Sequence, residues 1–482
     1  MKNILCTLFF LVFCLPMFAN NITISNQTLT NGSAADGYGY VTFDLSWENS
    51  WRVSSAPSNW DAAWVFVKYR VGSGEWLPAN LHNTGHLAGT GTAAEITVGL
   101  VDDNAAFDAT TNPGIGAFVS RSSDGTGTFT STGLKLRWDY GADGVVAGTN
   151  VEVKVFAIEI VRVLEGTFNV GGGGGNDAFI STTISTATAT TAPTGTGSLG
   201  GAAGGYPTGQ TAPANASWPN GYGAFYCMKY KVTQQQYVDF LNTLTQTQAD
   251  ARKANESSNR YAITGSAVGS DATTNPNVAC NYLSWADGAA YADWSGLRPM
   301  TELEFEKACR GPQAAVVGEY AWGTAAVAGS AYTLSGAGTA SEGIVTNYST
   351  TVGNAVYNTT GSTIGGPVRV GIFAANGMNS GRVSAGASYW GIMELSGNLW
   401  ERPVTIENVT GRAFTGTHGD GVLTSSGDAN AATWPGANAV GVCWRGGSWD
   451  NDPDYMQVSD RYYAGSSAAN RGSSLGFRAV RR

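Results

Sequence analysis

The sequence predicts an N-terminal all-β sandwich over residues 21–156, followed by an α+β domain over residues 157–482 with few short helices and much irregular chain. Three observations lead there. Before residue 163, apolar residues recur at the period of a strand, and no helical period appears. Glycine supplies 65 of 482 residues and charged residues only 13%, where ordinary domains carry about 7% glycine and about 25% charge. That composition suits strands and long loops and argues against helical bundles and coiled coils. Helix-capping residues ahead of periodic apolar positions appear only between Thr233 and Arg310. The chain is nonetheless foldable: 43% is hydrophobic, with 15 Trp, 20 Tyr and 18 Phe, enough apolar surface to offset chain entropy.

Taken in chain order, the first twenty residues predict a signal peptide. Lys2 is the charged end, Ile4 to Phe18 the apolar run and Ala19 the small residue at the cleavage point. The run is shorter than the ~20 residues a span needs, and no later segment is apolar enough to cross a membrane. The expected product is an exported protein: secreted, periplasmic or at the cell surface. Cys6 and Cys14 leave with the signal, and bulky Phe13 disfavours Cys14 as a lipid anchor. Cys227, Cys280, Cys309 and Cys443 remain, and three disulfide pairings or buried free thiols are all open. Lys plus Arg (27) minus Asp plus Glu (36) gives −9, which argues against a nucleic-acid partner held through phosphates.

Strand-like segments then follow at Tyr40 to Trp51, Ala63 to Gly72, Leu134 to Gly141 and Val151 to Val163, each read as alternating and separated by turns such as 123–127 and 141–144. His82 and His86 are read as loop residues rather than a metal pair. Residues 171–218 read as a Gly/Thr/Pro-rich loop or linker inside the second domain, and the five glycines at 171–175 as flexible loop. Thr233 to Leu244 places Tyr237, Phe240, Leu241 and Leu244 on one helical face. Ser284 caps a helix running to Trp294, and Thr301 with Glu304 forms a capping pair for one running to Arg310. No helical pattern follows, and there is no internal repeat.

Seven blocks in order carry a resemblance: EIVRVLEGTFNVGG (159–172), FYCMKYKVTQQQYVDFLN (225–242), NYLSWADGAAYADWSGLRPMTELEFEKACRG (281–311), YAWG (320–323), GIMELSGNLWER (391–402), WRGGSW (444–449) and GFRAVR (476–481). Together they resemble the formylglycine-generating enzyme, or sulfatase-modifying factor, family. The resemblance implies a variant of the C-type lectin fold from about residue 157 onward, with the strand at 159–164 expected to close one domain and open the next. It also implies an oxidase that converts a sulfatase cysteine to formylglycine, using copper, oxygen and two cysteines after GGSW. Here residues 449–482 contain no cysteine, and Cys443 is a single thiol before that block. Copper(I) needs soft thiolate ligands, so neither catalytic residues nor copper are expected. A branch of the fold that holds iron with several histidines is also not expected, because His418, read as a solvated loop residue, is the one histidine of this domain.

Calcium is the cofactor the resemblance still implies. The matching positions are Glu394, the carbonyls of Gly397 and Leu399, and Glu401, with a second site at Asn347 and the Tyr348 carbonyl. The bland alternative is that Glu401 pairs with an arginine such as Arg445. Asp450, Asp452 and Asp454 alternate like a calcium loop, but Pro453 and the missing glycine spoil that pattern.

The segment after GGSW is expected to form a ligand-binding face: Trp449, Asp450, Asp454, Tyr455, Gln457, Ser459, Arg461, Tyr462 and Tyr463. Its composition is that of adaptable binding surfaces, and it resembles the variable tails of diversity-generating retroelement proteins. Three readings follow. The first is an exported, non-catalytic recognition or adhesion protein with an extracellular protein or glycan ligand. The second is an active formylglycine-generating oxidoreductase with an atypical site, and the third a structural surface-coat protein.

Overall fold

A computed structural model of the chain describes residues 21–188, 213, 215–329, 331–358 and 362–482. The expected signal peptide and most of the Thr/Ala/Gly/Pro-rich stretch lie outside the described residues.

The N-terminal part is built from β1 (Thr23–Ser33), β2 (Tyr38–Arg52), β3 (Asp61–Val71), β4 (Ala94–Leu100), β5 (Gly114–Arg121), β6 (Gly125–Trp138) and β7 (Val151–Val163). One sheet has the order β1-β2-β6, extended by the short strand Thr90–Gly91. β2 shows the expected alternation: Val41, Phe43, Leu45 and Trp47 are buried and lie beside Leu134, Leu136 and Trp138 of the neighbouring β6 in one apolar core. Trp47 stacks on Phe129 with centroids 4.0 Å apart, a pairing that adds to the area it buries.

The second sheet joins the two halves of the chain. Its order is β9-β10-β8-β7-β3-β5-β4, where β8 is Phe225–Met228, β9 is Arg298–Pro299 and β10 is Ala479–Arg481. β7 pairs with the whole of β3, from Val151 opposite Val71 to Val161 opposite Asp61. Its last four residues also pair with β8, Ile160 opposite Met228 and Val163 opposite Phe225. The strand at the edge of the sequence resemblance therefore belongs to both halves.

β3 departs from the alternation read in its sequence, since the nine residues from Asp61 to Tyr69 are all buried. Ala63, Val65 and Val67 face the sandwich core, whereas Ala62, Trp64 and Phe66 face the second core with Trp294 and Phe477. A strand covered on both faces has no solvent side to mark with polar residues. Trp64 donates its indole N–H to the Ser295 carbonyl at 2.7 Å, tying β3 to the chain after the third helix.

Helices α1 (Gln234–Leu241), α2 (Gln246–Arg252), α3 (Trp285–Trp294) and α4 (Glu302–Arg310) pack on this second face. All four begin with a reciprocal capping box: Thr233 with Gln236, Thr245 with Gln248, Ser284 with Asp287, and Thr301 with Glu304. Among the described residues, the rest is turns, isolated bridges and short two-stranded ladders such as Phe168–Val170 with Thr182–Ile184, plus a four-residue helix, α5 (Val409–Arg412).

The glycine run at 171–175 is a packed turn rather than a free linker. Gly171, Gly172, Gly174 and Gly175 adopt positive φ. A Cβ on Gly175 would sit 3.0 Å from the Asp460 backbone, and one on Gly173 would sit 2.8 Å from the Ser459 hydroxyl. Glycine is what lets this turn lie against the C-terminal segment.

Candidate functional site

The C-terminal segment crosses the second domain on a buried base. Gly446 and Gly447 take positive φ, and a Cβ on Gly447 would meet the Met456 backbone nitrogen at 3.1 Å, so the GGSW turn needs glycine there. A short 3₁₀ turn, Pro453–Met456, follows. Met456 and Val458 are buried, and Ser396 donates to the Met456 carbonyl at 2.7 Å.

Outside that base stands an aromatic cluster. Tyr463 lies 5.4 Å from Trp400 and 5.0 Å from Trp444, between ring centroids. Tyr455 lies 5.9 Å from Tyr463 and 5.6 Å from Tyr462, and Tyr462 lies 4.9 Å from Tyr463. Tyr462 is 52% exposed, Tyr455, Tyr463 and Gln457 are half-buried, and Asp450 and Asp454 are exposed. These six of the nine expected face residues reach the surface together. Trp449 is half-buried, and its indole donates to the Ser473 carbonyl at 3.0 Å, so it supports the base.

Two expected face residues belong to the interior. Arg461 is fully buried: its Nε donates to Glu302 Oε2 at 2.8 Å and its Nη2 to Glu302 Oε1 at 3.0 Å, while its guanidinium covers the Phe179 ring at 3.7 Å. Ser459 is buried and accepts from Arg310 Nη2 at 3.0 Å. The cause lies in α4. Glu302 and Glu306, one turn apart, point inward, and Arg445, Arg461 and Arg310 neutralise them. Burial raises the Glu302 carboxyl, but the Arg461 and Arg445 guanidiniums outweigh it and hold that carboxyl below its usual range.

The residues expected to hold calcium form a second charge cluster. Glu401 is fully buried and accepts from Lys231 Nζ at 2.8 Å and from Arg478 Nε at 2.9 Å. Its contact with Arg445 is instead a backbone pair, Glu401 N–H to the Arg445 carbonyl at 2.9 Å and the reverse at 3.1 Å. The Lys231 ammonium also donates to the Glu394 carbonyl at 2.5 Å, and the Gly371 N–H donates to the Glu394 carboxylate. An ammonium thus stands on Glu401 Oε1, one of the oxygens expected to hold calcium, and at that carboxylate the donor set suits an internal ion pair better than a divalent cation. Gly397 takes positive φ and its N–H is spent on the Gly446 carbonyl at 2.7 Å, while Leu399 is buried. At the second expected site, Asn347 bonds to the Ala331 carbonyl through its amide, and the Tyr348 hydroxyl donates to the Phe373 and Ser384 carbonyls at 3.1 and 3.0 Å. Among the described residues, no three His, Cys, Asp or Glu side chains group as metal ligands.

The four thiols are free and buried. Burial pushes the Cys227 thiol up to about 12 and the Cys280, Cys309 and Cys443 thiols well above their usual value. His418 corrects its loop reading: it is buried, with Nδ1 3.4 Å from Asp103 and Nε2 accepting the Arg482 N–H at 3.1 Å. Burial and neighbouring arginines, Arg481 foremost, hold its imidazole well below the usual value.

Lys229, Glu159 and Asp61 form a buried triad that sequence reasoning did not single out. Lys229 Nζ lies 3.0 Å from Glu159 and 3.4 Å from Asp61, joining β7, β3 and the chain after β8. The readable trace was Glu159 inside the otherwise apolar run from Val155 to Val161.

Among solved structures, Treponema denticola variable protein 1 aligns over 67% of this chain and 96% of its own, at 15% identity and a TM-score of 0.32. A 54-residue stretch is 48% identical to the formylglycine-generating enzyme of Streptomyces coelicolor. That match covers 11% of this chain and 17% of the enzyme's length. Residues 159–482 match the family described as the sulfatase-modifying factor enzyme 1-like domain, and the chain belongs to that family.

Proposed function

We propose that this chain is an exported, non-catalytic recognition or adhesion protein whose binding surface is the tyrosine face. The observation that carries this reading is the cluster of Tyr455, Tyr462 and Tyr463 standing on Trp400 and Trp444, flanked by exposed Asp450 and Asp454. Tyrosine offers a large amphipathic contact at low entropic cost, and rings packed on one another are already oriented for a partner. An extracellular protein or a glycan suits such a surface. The full chain should be screened against glycan and extracellular-protein arrays. Binding that Tyr462→Ala removes is the expected result, and binding indifferent to the whole face would overturn the reading.

The kinship with a formylglycine-generating enzyme favours a second reading, oxidation of a substrate cysteine. Against it, residues 449–482 carry no cysteine, and the four described thiols are buried and held protonated. Incubation with copper, oxygen and a cysteine-bearing sulfatase peptide should leave the cysteine mass unchanged. Aldehyde formation that Cys443→Ser abolishes would establish the oxidase instead.

A further inference from the structure

A cavity of about 480 Å³ opens where the β2–β3 connection meets the loop 374–393 of the second domain. Its size lies within the range of small-molecule sites. Trp51 comes from the N-terminal half, and Tyr230, Arg382, Tyr389 and Trp390 from the other. The walls are fixed. Asn59 donates to the Trp390 carbonyl at 2.7 Å and accepts from the Trp51 indole at 3.4 Å, so one amide holds both tryptophans. Gly391 lies against the Trp51 ring, where a Cβ would be 3.0 Å away.

Two polar features line this apolar space. Tyr230 lines the cavity and is only 6% exposed, and among the described residues its hydroxyl has no hydrogen-bond partner. An unpartnered phenol in such a place favours a ligand able to accept from it. The lining residues include two cations, Lys229 and Arg382, and no carboxylate. Lys229 is balanced by Glu159 and Asp61. Arg382 donates to the Trp322 carbonyl, and among the described residues no carboxylate stands within ion-pair distance of it. Its guanidinium lies 5.9 Å from the ring centroid of Tyr389, which also lines the cavity.

We infer that this seam is a second binding site, for a small amphiphile with an aromatic or branched apolar body and one carboxylate. The body packs on Trp51 and Trp390. The carboxylate meets Arg382, whose planar fork suits it, and accepts from Tyr230. The site needs both halves of the chain, which gives the N-terminal sandwich a role in binding beyond support.

The test uses the full chain and three ligands of similar body, phenylbutyrate, phenylbutylamine and phenylbutanol, titrated by calorimetry. Phenylbutyrate should bind about tenfold or more tightly than the amine, with the alcohol between. Arg382→Gln should erase that preference with melting unchanged, and Arg382→Lys should keep most of it. Tyr230→Phe should weaken the carboxylate several-fold, and Trp51→Ala should weaken all three ligands. No binding by any ligand, an amine preference, or a preference surviving Arg382→Gln would overturn the inference. Should Arg382→Gln lower the melting temperature, Tyr230→Phe decides: undiminished carboxylate affinity refutes the site. Tyr462→Ala, on the separate tyrosine face, should leave these affinities intact, so either proposal can fail without the other.

Discussion

Arg461 and Tyr462 are neighbours in sequence with opposite surroundings. Arg461 is sealed against Glu302, and Tyr462 stands half in solvent. Arg461→Ala should cost about 3–5 kcal/mol, because it strands a buried carboxylate, and chemical denaturation will measure it. Tyr462→Ala should change stability by no more than ~0.5 kcal/mol while weakening partner binding by ~2 kcal/mol. The Glu302 carboxyl is depressed in the folded state, so its stabilisation is present above its unfolded value of about 4.3 and lost as pH falls through the folded value. Melting temperature should therefore drop as pH falls below that unfolded value, and Glu302→Gln should drop less. With Lys231 on the Glu401 carboxylate, a calcium chelator should leave the wild-type melting curve unmoved; a lowered melting temperature would put the ion back at that site. Composition identified the segment as a surface rich in Tyr, Asp and Arg but could not separate buried from exposed members. An arginine in irregular chain carries no periodicity to show which way it faces. Lys229 and Lys231 were hidden for a related reason: lysines flanking a tyrosine read as solvent-facing, and only their tertiary partners show that they are interior.

At the scale of single elements, local chemistry was readable wherever the chain itself supplied the partner. The capping residues of α3 and α4 mark their starts within one residue, since side chain and backbone three residues on satisfy each other, and α1 was legible from its apolar face. Thr301→Ala should cost about 1 kcal/mol, measured as a shift in the denaturation midpoint. α2 escaped because QTQADAR buries only Ala249 and Arg252, too few for an apolar stripe, although Thr245 and Gln248 carried the same capping signal. β3 was recognised as a strand but not as one covered on both faces. Its unbroken burial through Lys68 works because that lysine donates to the Gly421 carbonyl at 2.8 Å.

For the whole molecule, the shared sheet is the organising fact. β7 pairs with β3 and β8, so neither half keeps its sheet edge satisfied without the other. The full chain should unfold in one calorimetric transition, and Trp64→Ala should destabilise it by about 3–5 kcal/mol, because that indole fills the core between the halves. Two separated transitions would contradict this coupling. Family blocks revealed the second half and alternation the first, and the block opening at 159 pointed to one shared strand; the packing of Trp64 and Phe66 on the helices was not legible, because it depends on surfaces that meet only after folding.

The central claim is that Tyr455 and Tyr462 carry recognition on a scaffold that does not depend on them. Its most direct test is to apply wild type, Tyr455→Ala and Tyr462→Ala full chains to one glycan and extracellular-protein array, with melting temperatures recorded alongside. The account predicts a partner bound by wild type, binding reduced tenfold or more in both variants, and closely matched melting curves. Undiminished binding by both variants would contradict it.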